Sequence, residues 1–298
     1  MEHMLNGEFE KAWQFSDKVL AERGGKPSWH LPRHHQWIWD GSSLENKKVL
    51  IRCYHGLGDT IQFIRYAQLV KKIAKKVIVW AQAPLVPLLQ SVETIDELLP
   101  LHDGVPKAEY DIDVEIMELP HIFRTTVATI PGKLPYLHTQ PEFLKNGKDA
   151  LTIGLVWKAG DWDYRRNIPF AMLQPLFRTL NGRFFILQEA PTAAGWDQCS
   201  GVFPGDVSLQ QYAQRIKALD LLITIDSMPA HLAGALGVPV WTLLHADADW
   251  RWMRDRDDSP WYPTMKLFRQ REQGDWSEVI ERIVSELKKF EQANARTY

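Results

Sequence analysis

The spacing of hydrophobic positions changes repeatedly along the chain, and each change predicts an element of secondary structure. After residue 47, short apolar runs alternate with segments in which apolar residues recur at helical spacing. The apolar runs that predict strands in this first half are "KKVLIRCY", "KVIVWAQ", "IDELLPL" and "YDIDVEIMELP". Strands that alternate with helices in this way are typical of parallel βαβ units. The pattern therefore predicts an α/β domain over residues 47–145.

A second series of the same kind follows a polar, turn-rich segment near residue 145. Its predicted strands are "LTIGLVW", "RFFILQ", "LLITID" and "VPVWTLL". The helix "MPAHLAGALG" is expected to stop at Gly237, and a last helix is predicted over 276–290 after a loop rich in tryptophan and arginine. We assign residues 146–298 to this second α/β domain. Residues 1–46 form a helical segment, with a helix over 7–22, and a connector.

Composition narrows the class of protein. The 298 residues are 45% hydrophobic and 24% charged, with a net charge of −2, which suits a globular chain of two domains and argues against a nucleic-acid binder. No apolar run reaches about 18 residues, so no membrane span is predicted, and peripheral association is left open. Cys53 and Cys199 have no metal-binding spacing, so we expect reduced thiols, no metal and a cytoplasmic location.

The turn after the first strand, "HGLGDT", contains two closely spaced glycines and a carboxylate. Gly56 and Gly58 permit positive φ and a close approach of the backbone to a ligand. The dinucleotide pattern GxGxxG is not completed, because Ile61 occupies its third position, so a nicotinamide or flavin site is disfavoured. Two interpretations of Asp59 remain open: with Thr60 it caps the following helix, or it is a functional carboxylate.

A second candidate stretch joins a buried strand to a helix. Asp226 and Ser227 follow the strand "LLITI", and Met228, Pro229 and His231 lie in the first turn of the helix. Proline near a helix start is favourable, and the amides exposed there bind phosphate groups. His231 is either a ligand of such a phosphate, a proton donor or a residue satisfied within the core.

A third stretch, "GLVWKAGDWDYRRNIPF", carries positive charge. Lys158, Arg165 and Arg166 follow a predicted strand, at the sheet edge where open α/β folds bind ligands. A cationic loop and a helix N-terminus at one edge could together bind a diphosphate. The alternative is a solvated cluster of charges.

Together these stretches resemble the heptosyltransferase-like inverting glycosyltransferases, especially bacterial members fused to tetratricopeptide repeats. "GLGDTIQFIRYA" is similar to their amino-domain loop, and "GLVWKAGDWDYRRNIP" to a donor-domain segment in which Lys158 interrupts the usual "WAG". "IDSMPAHLAGALGVPVWTLL" resembles their carboxyl-domain signature, and "DWRWMRDRDDSPWYPTMKLFRQ" is similar to the end of that subgroup. "GEFEKAW" resembles a last repeat helix.

This resemblance implies the GT-B architecture: two Rossmann-like domains whose parallel sheets face a central cleft. It implies that Asp59 is the general base and that Gly56, Gly58 and Thr60 belong to the acceptor-side loop. The diphosphate of the donor would be bound by Lys158, Arg166, Asp226, Ser227, Met228 and His231. Gln188 and Glu189 would contact the nucleoside.

The implied reaction transfers a sugar from a nucleotide-diphosphate sugar to an acceptor hydroxyl, without a required cofactor or metal. An ADP-sugar such as ADP-heptose is favoured by analogy, and a glycan, a lipid-linked sugar and a protein remain open as acceptors. One alternative is a catalytically silent GT-B module that binds a nucleotide or a partner. An oxidoreductase is disfavoured by the incomplete glycine pattern.

Overall fold

A computed structural model gives the fold of this chain and describes residues 1–142, 150–160, 162–180 and 182–295. The chain divides into two compact units, an amino-terminal unit, Met1–Thr139, and a carboxyl-terminal unit, Gln140–Tyr298. The junction predicted near residue 145 lies outside the described residues. None of the helices in the described ranges combines the length and apolar character needed to cross a bilayer.

The amino-terminal unit contains a parallel sheet in which every predicted strand of the first series is present. Its strands are Lys48–Arg52 (β1), Lys76–Ala81 (β2), Glu97–Pro100 (β3) and Ile112–Glu115 (β4), in the order β3-β2-β1-β4. In β1 the side chains of Val49, Leu50 and Ile51 are all fully buried. A strand that is apolar on both faces is expected where helices and connecting segments cover both sides of a parallel sheet.

Most helices of this unit are short. They are Glu2–Leu5 (α1), Phe9–Glu22 (α2), Leu57–Phe63 (α3), Ala67–Ile73 (α4), Val86–Leu89 (α5) and Leu119–Ile122 (α6). The single helix predicted after β1 is interrupted by a 3₁₀ turn between α3 and α4. Arg65, only 2% exposed, donates from Nε to the carbonyl of Gln62 at 2.8 Å. This side chain thus bonds a carbonyl that a continuous helix would use for a backbone amide.

The carboxyl-terminal unit contains a second parallel sheet, of order β6-β5-β7-β8-β9. Its strands are Thr152–Val156 (β5), Arg183–Ile186 (β6), Leu221–Ile225 (β7), Val240–Leu244 (β8) and Met265–Arg269 (β9). The first four were predicted, whereas β9 was wrongly included in the loop rich in tryptophan and arginine. The strand is short, carries Lys266 and Arg269, and pairs only at the edge of the sheet, so its sequence lacks a buried apolar run.

In its described residues, this unit has the helices Gln174–Phe177 (α7), Leu209–Lys217 (α8), Met228–Leu236 (α9) and Trp276–Ala295 (α10). Helix α9 ends as predicted, because Gly237 adopts φ 72° and closes it in the left-handed region. Gly234 allows a close approach to Tyr262, since a Cβ at this position would lie 2.4 Å from a ring carbon. Almost all of α9 is buried, so its N-terminus is held in a fixed position at the sheet edge.

Tryptophans fill much of the interior. Trp241 and Trp261 are both buried. Trp252 is also fully buried, whereas Trp250 is partly exposed beneath the Arg251 guanidinium. Neither cysteine is in a disulfide, Cys53 being buried and Cys199 exposed.

Candidate active site

The carboxyl ends of β5 and β7 bring the candidate donor residues to one edge of the second sheet. Asp226 directly follows β7, and α9 begins two residues later at Met228, with Pro229 in its first turn. Ser227 occupies the N-cap but its hydroxyl donates to the Ile225 carbonyl at 3.3 Å and makes no capping bond to α9. The Ala230 amide donates to the Ser227 carbonyl at 3.0 Å and Pro229 has no N–H, so the Met228 amide and the positive end of the helix dipole are what favours an anion there.

Asp226 is a buried carboxyl group at this helix start, only 8% exposed. Burial, reinforced by the charge of Asp249, raises its pKa to about 6. The nearby Trp252 side chain and the cations Arg166 and Arg251 oppose that rise in pKa. A carboxyl group that accepts a proton this readily can lie beside a bound polyanion without a full charge repulsion.

The raised pKa of Asp226 predicts a pH-dependent stability. A folded pKa of about 6 against 3.8 in the unfolded chain means that Asp226 contributes stability below pH 3.8 that is lost as the pH rises through 6. The loss amounts to about 3 kcal/mol. We therefore expect Asp226→Asn to gain roughly 2–3 kcal/mol relative to wild type between pH 4 and pH 7.5, measured by urea unfolding. A constant difference between the two proteins across that range would contradict the assignment.

Two adjacent arginines in the loop after β5 have different environments. Arg166 donates from Nη1 to the backbone carbonyl of Asp226 at 2.8 Å and from Nε to that of Asp163 at 3.2 Å. Among the described residues no carboxylate forms an ion pair with Arg166. Arg165 instead pairs with the carboxylates of Asp163 at 2.7 Å and Asp247 at 3.3 Å. Arg165 also holds the pKa of Asp163 at about 2. The positive charge of Arg165 is therefore already balanced by carboxylates, whereas that of Arg166 is not.

His231 is anchored inside the unit. Its Nδ1 lies 3.0 Å from the Tyr262 hydroxyl, and its ring stacks on Trp252 with centroids 5.3 Å apart. The ring is 5% exposed. Of the sequence interpretations, these contacts support a histidine integrated into the packing of α9, while its place in the first turn keeps it beside the candidate anion site.

The two residues predicted to contact the nucleoside lie after β6. The Gln188 side chain accepts from the amides of Trp157 at 3.0 Å and Lys158 at 2.8 Å, and it donates to the carbonyls of Lys158 and Glu189. Gln188 thus clamps the loop after β5 to the loop after β6. Glu189 and the Lys158 side chain are exposed at the surface. The clamp sets where the Lys158 backbone lies, a role that the sequence did not reveal.

The acceptor-side loop lies at the carboxyl end of β1. The Asp59 carboxylate accepts from the Gly56 amide at 2.9 Å, so the capping interpretation of Asp59 is realised in the structure. The expectation of positive φ at the glycine pair is wrong. Gly56 is extended, with φ −66°, and Gly58 lies within α3. A Cβ at Gly56 would come within 3.2 Å of the Asp59 carboxylate, so a larger residue here would require that carboxylate to shift by a few tenths of an ångström. Thr60 is buried and donates to Gln82 at 3.0 Å.

Sequence reasoning missed two residues beside this loop. His55 precedes Gly56, and its Nδ1 lies 2.9 Å from the carboxylate of Glu115 at the end of β4. The signal available in the sequence was weak: a histidine directly before a glycine pair, and a glutamate at the end of a neighbouring strand. Within the described ranges, no three His, Cys, Asp or Glu side chains are grouped so as to hold a metal ion.

Comparison with known proteins places this geometry in context. Residues 191–278 match the sequence profile of glycosyltransferase family 9 (heptosyltransferase). The protein FlbA of Caulobacter vibrioides is 24% identical over 85% of this chain and 48% of its own length. The chain thus spans about half the length of this curated relative.

Solved structures share the fold. A glycosyl transferase of family 9 from Veillonella parvula superposes with a TM-score of 0.62 at 13% identity, over 85% of this chain and 99% of its own. The heptosyltransferase WaaC of E. coli, solved with ADP-2-deoxy-2-fluoro heptose, superposes with a TM-score of 0.53 at 14% identity. The match covers 80% of this chain and 99% of the WaaC chain. The resemblance drawn from the sequence is therefore confirmed: this chain has the α/β fold and the carboxyl-terminal sequence signature of a family 9 glycosyltransferase of the heptosyltransferase type.

Proposed function

We propose that this chain is an inverting glycosyltransferase that moves a sugar from a nucleoside diphosphate sugar to an acceptor hydroxyl. The observation that carries the proposal is the meeting of Arg166 with the start of α9 at the Asp226 carbonyl, 2.8 Å from Nη1. A guanidinium without a carboxylate partner among the described residues, beside helix amides without a side-chain cap, suits a diphosphate. We take the donor to be an ADP-sugar, because the structurally similar WaaC was solved with ADP-2-deoxy-2-fluoro heptose.

The donor side of the mechanism follows from charge. The Met228 amide at the start of α9 donates to the diphosphate oxygens, as does the Ser227 hydroxyl once it turns from the Ile225 carbonyl, and Arg166 and Lys158 supply positive charge. As the bond from the sugar to the phosphate breaks, negative charge grows on the diphosphate and these groups stabilise it, so no metal is needed for this step. Asp226, with its raised pKa, takes up a proton when the polyanion binds and so avoids repelling it.

The acceptor side uses Asp59 as general base. The carboxylate takes the proton of the acceptor hydroxyl while the acceptor oxygen forms its bond to the anomeric carbon. The bond from that carbon to the diphosphate oxygen breaks, and its electron pair leaves with the nucleoside diphosphate. Attack from the face opposite the leaving group inverts the anomeric centre. Proton transfer of this kind contributes about 10²–10⁴-fold in rate.

Ligand-dependent melting tests the donor site. We expect ADP and ADP-heptose to raise the melting temperature of the wild-type chain by about 5 °C or more at one hundred times Kd, because ligand binding to the native state adds about 2.7 kcal/mol. UDP, GDP and inorganic pyrophosphate serve as comparison ligands. If no nucleoside diphosphate or nucleotide sugar shifts the wild-type melting temperature, the donor site is wrong.

The second candidate is a silent module that binds a nucleotide or a partner through the same residues. The capping bond from Gly56 favours it, because this bond gives Asp59 a structural task without chemistry. Release of ADP from ADP-heptose separates the two functions. Binding without any release, in the presence and absence of acceptors, would favour the silent module, and we propose a cytoplasmic location for either.

A further inference from the structure

The loop after β5 is closed at its base by hydrogen bonds between its two ends. The amide of Ile168 donates to the carbonyl of Trp157 at 2.9 Å. One step further along the loop, the amide of Ala159 donates to Oδ1 of Asn167, also at 2.9 Å. Residues 162–166, which lie between these bonds and are called the loop tip below, therefore project from a fixed base.

Asp163 anchors the loop tip to the sheet edge. Its carboxylate accepts from Nη2 of Arg165 at 2.7 Å and lies 3.5 Å from Nε2 of His245, a buried residue directly after β8. Its backbone carbonyl accepts from Nε of Arg166 at 3.2 Å, and Arg166 also reaches the Asp226 carbonyl after β7. The strands β5, β7 and β8 are neighbours in the sheet. The loop tip therefore crosses from the end of β5 toward the end of β8, beside the start of α9.

Trp162 and Tyr164 lie on either side of this anchor. The backbone of Asp163 is extended, with φ −148° and ψ 103°, so its two neighbours project to the side opposite to the Asp163 carboxylate. Trp162 is 86% exposed and Tyr164 81% exposed, and no other large hydrophobic side chain in the described ranges is more exposed than Trp162. Two aromatic side chains held out on one side of an anchored loop indicate a binding surface.

The charges beside the two rings favour a neutral ligand group. Arg165 faces two carboxylates, Asp163 and Asp247, at 2.7 Å and 3.3 Å. Asp163 stays ionised, since its hydrogen bonds with Arg165 hold its pKa at about 2. With two negative charges against one positive charge, this surface does not attract a phosphate. The Asp247 carboxylate is largely exposed and accepts hydrogen bonds, so a group with an apolar face and hydroxyls at its rim suits the surface.

The order of the strands distinguishes the sugar of the donor from its nucleoside. The residues predicted to contact the nucleoside, Gln188 and Glu189, follow β6, which lies on the other side of β5 from β7 and β8. The start of α9, where the diphosphate is proposed to bind, follows β7. A nucleoside toward β6 leaves the sugar on the opposite side of the diphosphate, toward β8, where the loop tip is anchored.

We propose that Trp162 and Tyr164 bind the sugar of the donor against their ring faces, and that Asp247 accepts hydrogen bonds from its hydroxyls. The anchor at Asp163 holds the backbone of both aromatic residues in place before the donor arrives, which lowers the entropy lost on binding. This inference rests on the proposed transferase function and names the residues that recognise the transferred sugar.

The test is a calorimetric titration with two probes that share the ADP group: ADP itself and ADP-2-deoxy-2-fluoro heptose. We expect Trp162→Ala to weaken binding of the fluoro analogue about fivefold, the usual size of the loss for an aromatic stacking contact. The affinity of the same variant for ADP should change less than about twofold, because ADP has no sugar beyond its diphosphate. Tyr164→Ala and Asp247→Ala should show the same selective loss.

Control variants separate sugar binding from a disturbance of the loop. Trp162→Phe retains an aromatic face and should keep most of the affinity for the fluoro analogue. Phe15→Ala removes an aromatic side chain that is 67% exposed on α2 of the other unit, and it should alter neither affinity. The melting temperature without ligand should stay at the wild-type value in each of these variants, since the altered side chains are largely exposed.

Three outcomes would overturn the inference. Equal losses for ADP and the fluoro analogue in Trp162→Ala would indicate that the rings contact the nucleoside. Unchanged affinities for both probes would indicate that the rings contact a partner rather than the donor. A wild type that binds ADP and not the fluoro analogue would show that the loop tip does not accept this sugar. A wild type that binds neither probe contradicts the proposed function instead, so the two failures are distinguishable.

Discussion

Asp59→Asn is expected to lower the rate constant of sugar transfer by about 10²–10⁴-fold, because asparagine cannot take the acceptor proton. The amide oxygen of asparagine can still accept from the Gly56 amide, a bond that measures 2.9 Å in the wild type. The start of α3 should therefore keep its cap, and the melting temperature without ligand should change little. Steady-state ADP release with a saturating acceptor measures the effect.

The matched variants at Asp59 separate capping from catalysis. Asp59→Ala removes both the base and the cap, which costs about 1 kcal/mol of stability. Asp59→Glu retains a carboxylate one methylene further along, so it should keep part of the activity. If Asp59→Asn transfers sugar at the wild-type rate while Asp59→Ala only melts earlier, Asp59 is a cap residue and the base lies elsewhere.

Arg166→Ala is expected to lower the transfer rate constant by about 10²–10³-fold, the usual effect of removing a group that stabilises charge in a transition state. The affinity for ADP should fall as well, by about 10-fold or more, because a hydrogen bond to a charged group contributes about 1.5–3 kcal/mol. Arg166→Lys keeps the charge but loses the planar fork, so it should lie between alanine and the wild type. Calorimetric titration with ADP and single-turnover transfer measure the two effects.

The neighbouring arginine provides the matched control. Arg165 already pairs with Asp163 and Asp247, and its side chain is 40% exposed, so Arg165→Ala should change ADP affinity less than about threefold. Equal losses in the two variants would show that the overall charge of the loop matters and that the contact of Arg166 with Asp226 does not.

Much of the fold could be predicted from local sequence pattern. The alternation of apolar runs and helical spacing indicated eight of the nine strands in the described ranges. The end of α9 at Gly237 could be predicted because glycine readily adopts the left-handed conformation that closes a helix. Parallel strands also bring their carboxyl ends to one edge, so the loops carrying Asp59, Arg166 and Asp226 could be assigned to such edges in advance. Strand β9 escaped prediction because an edge strand with charged positions has no distinctive apolar pattern.

What the sequence determined by itself was the set of elements, the sheet edges and the residue types available there, since these depend on neighbours within a few positions. Only the tertiary structure decided how each side chain is used, because this depends on which loops meet after the strands are arranged. It showed that Arg166 contacts the Asp226 carbonyl whereas Arg165 pairs with the Asp163 carboxylate. It also showed that Gln188 joins the loop after β5 to the loop after β6. It also brought Glu115 to His55 across 60 residues of chain, a pairing created by the sheet order β1-β4 and invisible to local pattern.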